Sequence, residues 1–108
     1  MNEVVLLEHP KSGYVVRSRP AILSCKALNA RRIKFKCNNR WLDENRHNYE
    51  SGIDSDSNQP FLKAQVEITR QEVETNAGLG DFSCRCHAIA GSADQEKRSE
   101  AANVKVAY

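Results

Sequence analysis

No apolar stretch in this chain of 108 residues approaches the ~20 residues that a bilayer-spanning helix needs. Met1-Asn2-Glu3 lacks the basic start and apolar run of a secretory leader, so any leader or anchor is expected outside these residues. Asn-x-Ser/Thr is absent, and N-linked sugar is not expected. So is the Cys-x-x-Cys knuckle that structural zinc sites prefer, which leaves His87 beside Cys84 and Cys86 as a poor chelating set. Gly78-Leu79-Gly80 precedes a strand pattern rather than a helix, so it is no phosphate cradle. His9, His47 and His87 adjoin no serine or carboxylate in a nucleophile motif. Asp54 and Asp56 sit in a polar stretch without an ordered set of oxygen ligands for calcium. With these absences no enzyme, metal centre or cofactor is expected, and an enzyme or zinc protein would need a bound metal or free thiols.

What remains is a chain long enough for one domain with one modest core, so residues 1–108 are expected to form a single domain. Four cysteines in so short a chain suggest an oxidising compartment, where cross-links supplement a small core. Net charge is only +2, but from Arg17 to Arg46 nine Lys/Arg face only Asp43 and Glu44, a local +7, leaving −5 elsewhere. Such asymmetry points to a basic face and an anionic partner. The plainer reading is a solvated surface whose charges neutralise one another on folding.

Short strands separated by turn residues favour a sandwich or barrel. Glu3–Leu7 is apolar and rich in β-formers. Pro10 and Gly13 interrupt it before Tyr14–Arg17 resumes, like an edge strand that splits to change sheets. In 21–27, Leu23, Cys25 and Ala27 alternate with Ile22, Ser24 and Lys26. In 32–37, Ile33, Phe35 and Cys37 take one face and Lys34 and Lys36 the other. Residues 42–59 read as loops and weak edge strands. Phe61–Ile68 alternates again, with Leu62, Ala64, Val66 and Ile68 inward.

Thr69-Arg70-Gln71-Glu72 then matches a capping box, with Ile68 and Val73 as its hydrophobic staple, so a short helical turn is expected there. Gly78 and Gly80 end it, Asp81–Ala88 forms the penultimate strand, Gly91-Ser92 a turn, and Val104–Ala107 the last strand. That order is an all-β, immunoglobulin-like sandwich of I/V-set type, with one helical turn before the penultimate strand.

Cys84 and Cys86, two apart in a strand, share its inward face, and pairing them with each other would distort it. Two connectivities remain. Cys25–Cys86 between sheets with Cys37–Cys84 within one sheet is preferred. Phe82, two before Cys84 at the usual tyrosine-corner position, argues for the other, although it lacks the corner's hydroxyl. Closing a loop from Cys25 to Cys86 would contribute roughly 4 kcal/mol by the chain-entropy estimate, so reduction should unfold the domain or nearly so.

At these segments the sequence resembles the first immunoglobulin domain of the Uncoordinated-Five family of netrin receptors. The resemblance is carried by Ile33-Lys34-Phe35-Lys36-Cys37-Asn38 with Trp41, and by Val66-Glu67-Ile68-Thr69-Arg70-Gln71 with Val73-Glu74. Asp81-Phe82-Ser83-Cys84-Arg85-Cys86 and Val106-Ala107-Tyr108 complete it. The second cysteine pair is its most specific mark, and the family's pairing supports Cys25–Cys86 with Cys37–Cys84. Residues 43–60 depart in length and composition from vertebrate members, and Phe82 replaces the usual tyrosine.

The resemblance implies the extracellular part of a single-pass plasma-membrane receptor that mediates repulsive axon guidance. Its implied partners are netrin, heparan sulfate or heparin, and other guidance receptors or cell-surface proteins. The residues meet that expectation on one sheet face. With Phe35, Cys84 and Cys86 inward, Lys34, Lys36, Arg85 and His87 must project outward. Arg31 and Arg32 lie at the patch's end, and Lys97 and Lys105 are expected to extend it. Lys/Arg rows suit a linear polyanion through charge-assisted bonds to sulfate. DNA would meet the same charge logic, but the disulfides place the chain in the wrong compartment, and no nucleic acid is expected. The alternative is an adhesion domain that acts by self-association.

Overall fold

The computed structural model describes residues 3–76, 81–91 and 95–107. One sheet contains β1 (Val5–Glu8), β3 (Ala21–Leu28), β7 (Pro60–Ile68) and β6 (Asn48–Ile53), in the spatial order β1-β3-β7-β6. The other runs β2-β10-β8-β4-β5, built from β2 (Gly13–Val15), β10 (Ala102–Val106), β8 (Phe82–Ile89), β4 (Arg32–Cys37) and β5 (Arg40–Trp41). β9 (Glu96–Arg98) also pairs with β8, beside its C-terminal half. The opening strand does split between sheets: β1 pairs antiparallel with β3, whereas β2 lies parallel to β10.

Period-2 alternation sets which side chains fill the space between the sheets. Leu23, Cys25 and Ala27 of β3 and Ala64, Val66 and Ile68 of β7 meet Ile33, Phe35, Cys84 and Cys86 from the opposite sheet, all buried. Cys25 bonds Cys86 across the sandwich, over a sequence separation of 61. Cys37 bonds Cys84, its direct cross-strand neighbour in the β4–β8 ladder.

The capping box forms as the sequence expects. Thr69 Oγ1 accepts from the Glu72 N–H at 3.2 Å, and Glu72 Oε1 accepts from the Thr69 N–H at 3.1 Å, starting α1 (Arg70–Asn76). Arg46 adds a bidentate pair to Glu72, with both contacts at 2.7 Å. Burial pushes the Glu72 carboxyl up, but Arg46 and the Thr69 bonds outweigh it and leave the group below its ordinary value. Gly78, Gly80 and Ser92, expected at the helix end and the following turn, lie outside the described residues.

β9 and β10 run along one edge of β8 as a single interrupted strand, so β8 keeps its expected penultimate place. Ser99, at that interruption, is buried; its Oγ accepts from the Cys86 N–H at 2.8 Å and donates to the Glu100 carbonyl at 2.9 Å. His47, expected in a polar loop, is instead buried between Phe35 and Tyr49, with ring centroids at 5.3 and 6.0 Å. Its Nδ1–H donates to the Asp43 carbonyl at 3.1 Å, while Nε2 is buried without a partner among the described residues. Tyr49 extends the wedge, donating from its hydroxyl to the Ile33 carbonyl at 2.7 Å, which ties β6 to the opposite sheet.

Burial holds His47 below its ordinary pKa of 6.5 despite the bond to Asp43. The unfolded chain therefore takes up this proton near pH 6.5 while the folded chain resists it, so stability is lost as pH falls below that value. The lowered carboxyls of Glu44 and Glu72 act in a separate window, below about pH 4.5. Urea unfolding should show the parent losing more stability between pH 7 and pH 5 than His47→Gln does; equal losses would exclude this wedge as the acid-sensitive element.

Candidate functional site

Directly opposed residues of paired strands share a face, so the register of the larger sheet defines its outer surface. In one row Trp41 of β5 opposes Lys36 of β4, which opposes Arg85 of β8. In the next, Lys34 opposes His87, which opposes Arg98 of β9. The third contains Arg32, Ile89 and Glu96. With strands about 4.8 Å apart and alternate residues about 7 Å apart, Lys34, Lys36, Arg85 and Arg98 fall within one Debye length of their neighbours at physiological salt.

Trp41 reaches this face through a two-residue turn. Asn38 and Asn39 both take the left-handed conformation, with φ of 47° and 65°, as a primed hairpin turn requires. Asn38 is further fixed by accepting from the Ser83 N–H at 2.9 Å and donating to the Asn76 carbonyl at 2.9 Å. The Lys34 and Lys36 ammonium groups lie over the Trp41 ring, 4.5 and 4.9 Å from its centroid. Contacts of this kind hold a flexible cation near an aromatic face for about 0.5–1 kcal/mol at an exposed site. Arg85 is steadied differently, donating to the Ser99 carbonyl at 3.2 Å. Lys36, Asn38, Asn39, Ser83, Arg85 and His87 line a shallow depression of about 280 Å³ between these groups.

Not every residue expected on this face is free to meet a ligand. His87 shares the outer side but is buried beneath Trp41, whose ring meets it edge-on at 4.7 Å, and its Nδ1–H donates to Glu96 Oε1. It is therefore a support rather than a projecting cation. Arg32 is held by both Glu44 oxygens, at 2.9 and 3.1 Å, and that hydrogen-bonded guanidinium keeps the Glu44 carboxyl below its usual range. Arg31 is exposed just before β4, its side chain lying over Gly91, where a Cβ would approach Arg31 Cδ and Nε to 3.4 Å. Lys97 does not extend the patch: it opposes inward-facing Ala88, so it lies on the other side of the strand from His87. Lys105 keeps the outer side but lies beyond the Ser83–Asn103 pair, at the opposite end of the sheet. Arg98 and Trp41 were missed as site residues. β9 is too short for a periodic signal, whereas Asn38-Asn39 after an alternating run could have signalled the hairpin.

The outer face of the smaller sheet provides an internal comparison. Its Lys26 and Lys63 are answered by Glu8, Glu50 and Glu67, with Lys63 Nζ 3.7 Å from Glu8. Lys26 also lies 4.4 Å from the Phe61 ring centroid. One sheet thus balances its surface charge, while the other carries a surplus of cations around one exposed tryptophan.

Two packed sheets, an inter-sheet disulfide and a first strand divided between the sheets define an immunoglobulin-like domain. The chain is structurally similar to the N-terminal immunoglobulin pair of the Drosophila receptor tyrosine phosphatase DLAR, with a TM-score of 0.61 and 16% identity. That match covers 98% of this chain and 50% of the other. A three-domain fragment of titin gives 0.58 and 15%, covering 98% and 33%. More specifically, residues 2–104 match the model of the netrin receptor unc-5 N-terminal domain, and the chain belongs to that family. Netrin receptor UNC5D from Rattus norvegicus and from Mus musculus are each 36% identical over 102 residues, or 94% of this chain. The chain spans about a tenth of the length of these relatives. Membership of this family makes it a receptor module and not an enzyme.

Because Trp41 covers His87 and steadies two lysines, Trp41→Ala should lower stability by about 1 kcal/mol, roughly 4 °C in thermal unfolding, with the fold retained. An unchanged melting temperature would mean that the ring contributes nothing to the face.

Proposed function

We propose that this domain is an extracellular ligand-binding module of a cell-surface netrin receptor, contributing to netrin binding, and that the outer face of β4, β5, β8 and β9 binds heparan sulfate. The observation that supports the polysaccharide site is the cluster of Lys34, Lys36, Arg85 and Arg98 around Trp41, with the Glu96 carboxylate set among them. Cations fixed in rows on a rigid sheet meet a linear sulfated chain with charge-assisted bonds and little ordering cost. Arg31 extends the same surface at its end, and His87 acts from below by holding Trp41 and Glu96 in place.

Netrin, like any further guidance receptor or cell-surface partner, is proposed on family membership. The two disulfides suit the extracellular compartment this reading requires. Self-association as an adhesion domain is the competing reading.

On a heparin column at physiological salt the parent domain should be retained. A variant with Lys34, Lys36 and Arg85 changed to Ala should flow through while keeping its circular dichroism. A parent that passes straight through, or that dimerises with concentration and ignores heparin, would reject the polysaccharide site. Netrin binding would then be measured with the following domain attached.

A further inference from the structure

The basic face already holds one anion of its own. Glu96 Oε1 accepts from His87 Nδ1–H and lies 3.7 Å from Arg98 Nε. The His87 bond lowers the Glu96 carboxyl first and most, with smaller contributions in the same direction from Arg98 and Lys34. This carboxylate therefore sits between the buried His87 and the exposed Arg98, among the cations that would meet a ligand. It is not a core group: its side chain is 34% exposed, on a strand of only three residues. Its other neighbours reinforce the point. His87 is packed under Trp41, and the Lys34 and Lys36 ammonium groups lie over the same ring.

We propose that Glu96 is a tethered counter-ion that occupies the central anion position of the polysaccharide site and must be displaced by an incoming sulfate or carboxylate. This inference rests on reading the face as a polyanion site, and it adds a device that sets the affinity. An intramolecular carboxylate competes at high effective concentration with each weakly bound anion. A single monovalent anion is thus excluded, whereas a polyanion that engages Lys36, Arg85 and Lys34 together can displace it. The face would select charge density and length, and would resist free sulfate, acetate and isolated acidic side chains. Exchange of Glu96 for the ligand also frees the Arg98 guanidinium, 3.7 Å from that carboxylate, to pair with the ligand in its place.

The test measures affinity for a heparin-derived octasaccharide by titration calorimetry at 0.15 M salt, with thermal unfolding as a control for folding. Glu96→Gln should bind about three- to tenfold more tightly than the parent. The charge-matched control Glu67→Gln, on the outer face of the other sheet, should change affinity less than twofold. Arg98→Gln should weaken binding in the Glu96→Gln background more than in the parent. If the parent binds and Glu96→Gln binds equally or more weakly, the tethered counter-ion is wrong while the polysaccharide site stands. If the parent does not bind but Glu96→Gln does, the counter-ion is upheld and native binding is rejected. If neither binds, both are rejected.

Discussion

The register between β4 and β8 is the constraint on which the rest of the molecule depends. It sets Phe35 opposite Cys86 and Cys37 opposite Cys84 on the inner side, and Lys34 opposite His87 and Lys36 opposite Arg85 on the outer side. A slip of one residue would exchange the faces, driving lysines into the core and cysteines out to water. The two disulfides oppose such a slip from different directions. Cys37–Cys84 pins the two strands to each other, and Cys25–Cys86 pins that pair to the opposite sheet. The same alternation that makes the domain fold therefore makes its outer surface basic.

The surplus of charge on that surface follows from how the edges are finished. On the smaller sheet, acidic residues of β1, β6 and β7 flank Lys26 and Lys63, so its cations have local partners. On the larger sheet, the hairpin at Asn38-Asn39 brings in an aromatic ring instead of a carboxylate, and β9 supplies one acid with one arginine. An aromatic face holds lysines in position without neutralising them, which keeps their charge available to a ligand. Support from beneath comes through His87, which spans Trp41 on one side and Glu96 on the other.

Much of this was legible in the chain because the informative strands are half-buried. β3, β4, β7 and β8 alternate apolar and polar residues, and the capping box at Thr69-Glu72 names both its partners locally. What could not be read lies at edges or depends on distant packing. β6 is exposed throughout, so no face of it carries a hydrophobic period. β9 is three charged residues long, and nothing local tells that Glu96 and Arg98 turn toward the basic face while Lys97 turns away. His47 sits in a polar stretch of the sequence and His87 on the outward register of its strand, so neither reads as buried. Their burial is imposed by Tyr49 and Phe35 in one case and by Trp41 in the other. Family membership rests on a match over residues 2–104, whereas the details of the candidate site rest on those edge elements.

The most direct test is to titrate the isotopically labelled domain with a defined heparin oligosaccharide and follow its amide and side-chain resonances. The largest shifts should trace one continuous surface through Lys34, Lys36, Trp41, Arg85, Glu96 and Arg98, leaving β6, β7 and the outer side of β3 unmoved. Shifts concentrated on those three strands instead, or none at physiological salt, would show that the basic sheet face is an ordinary solvated surface.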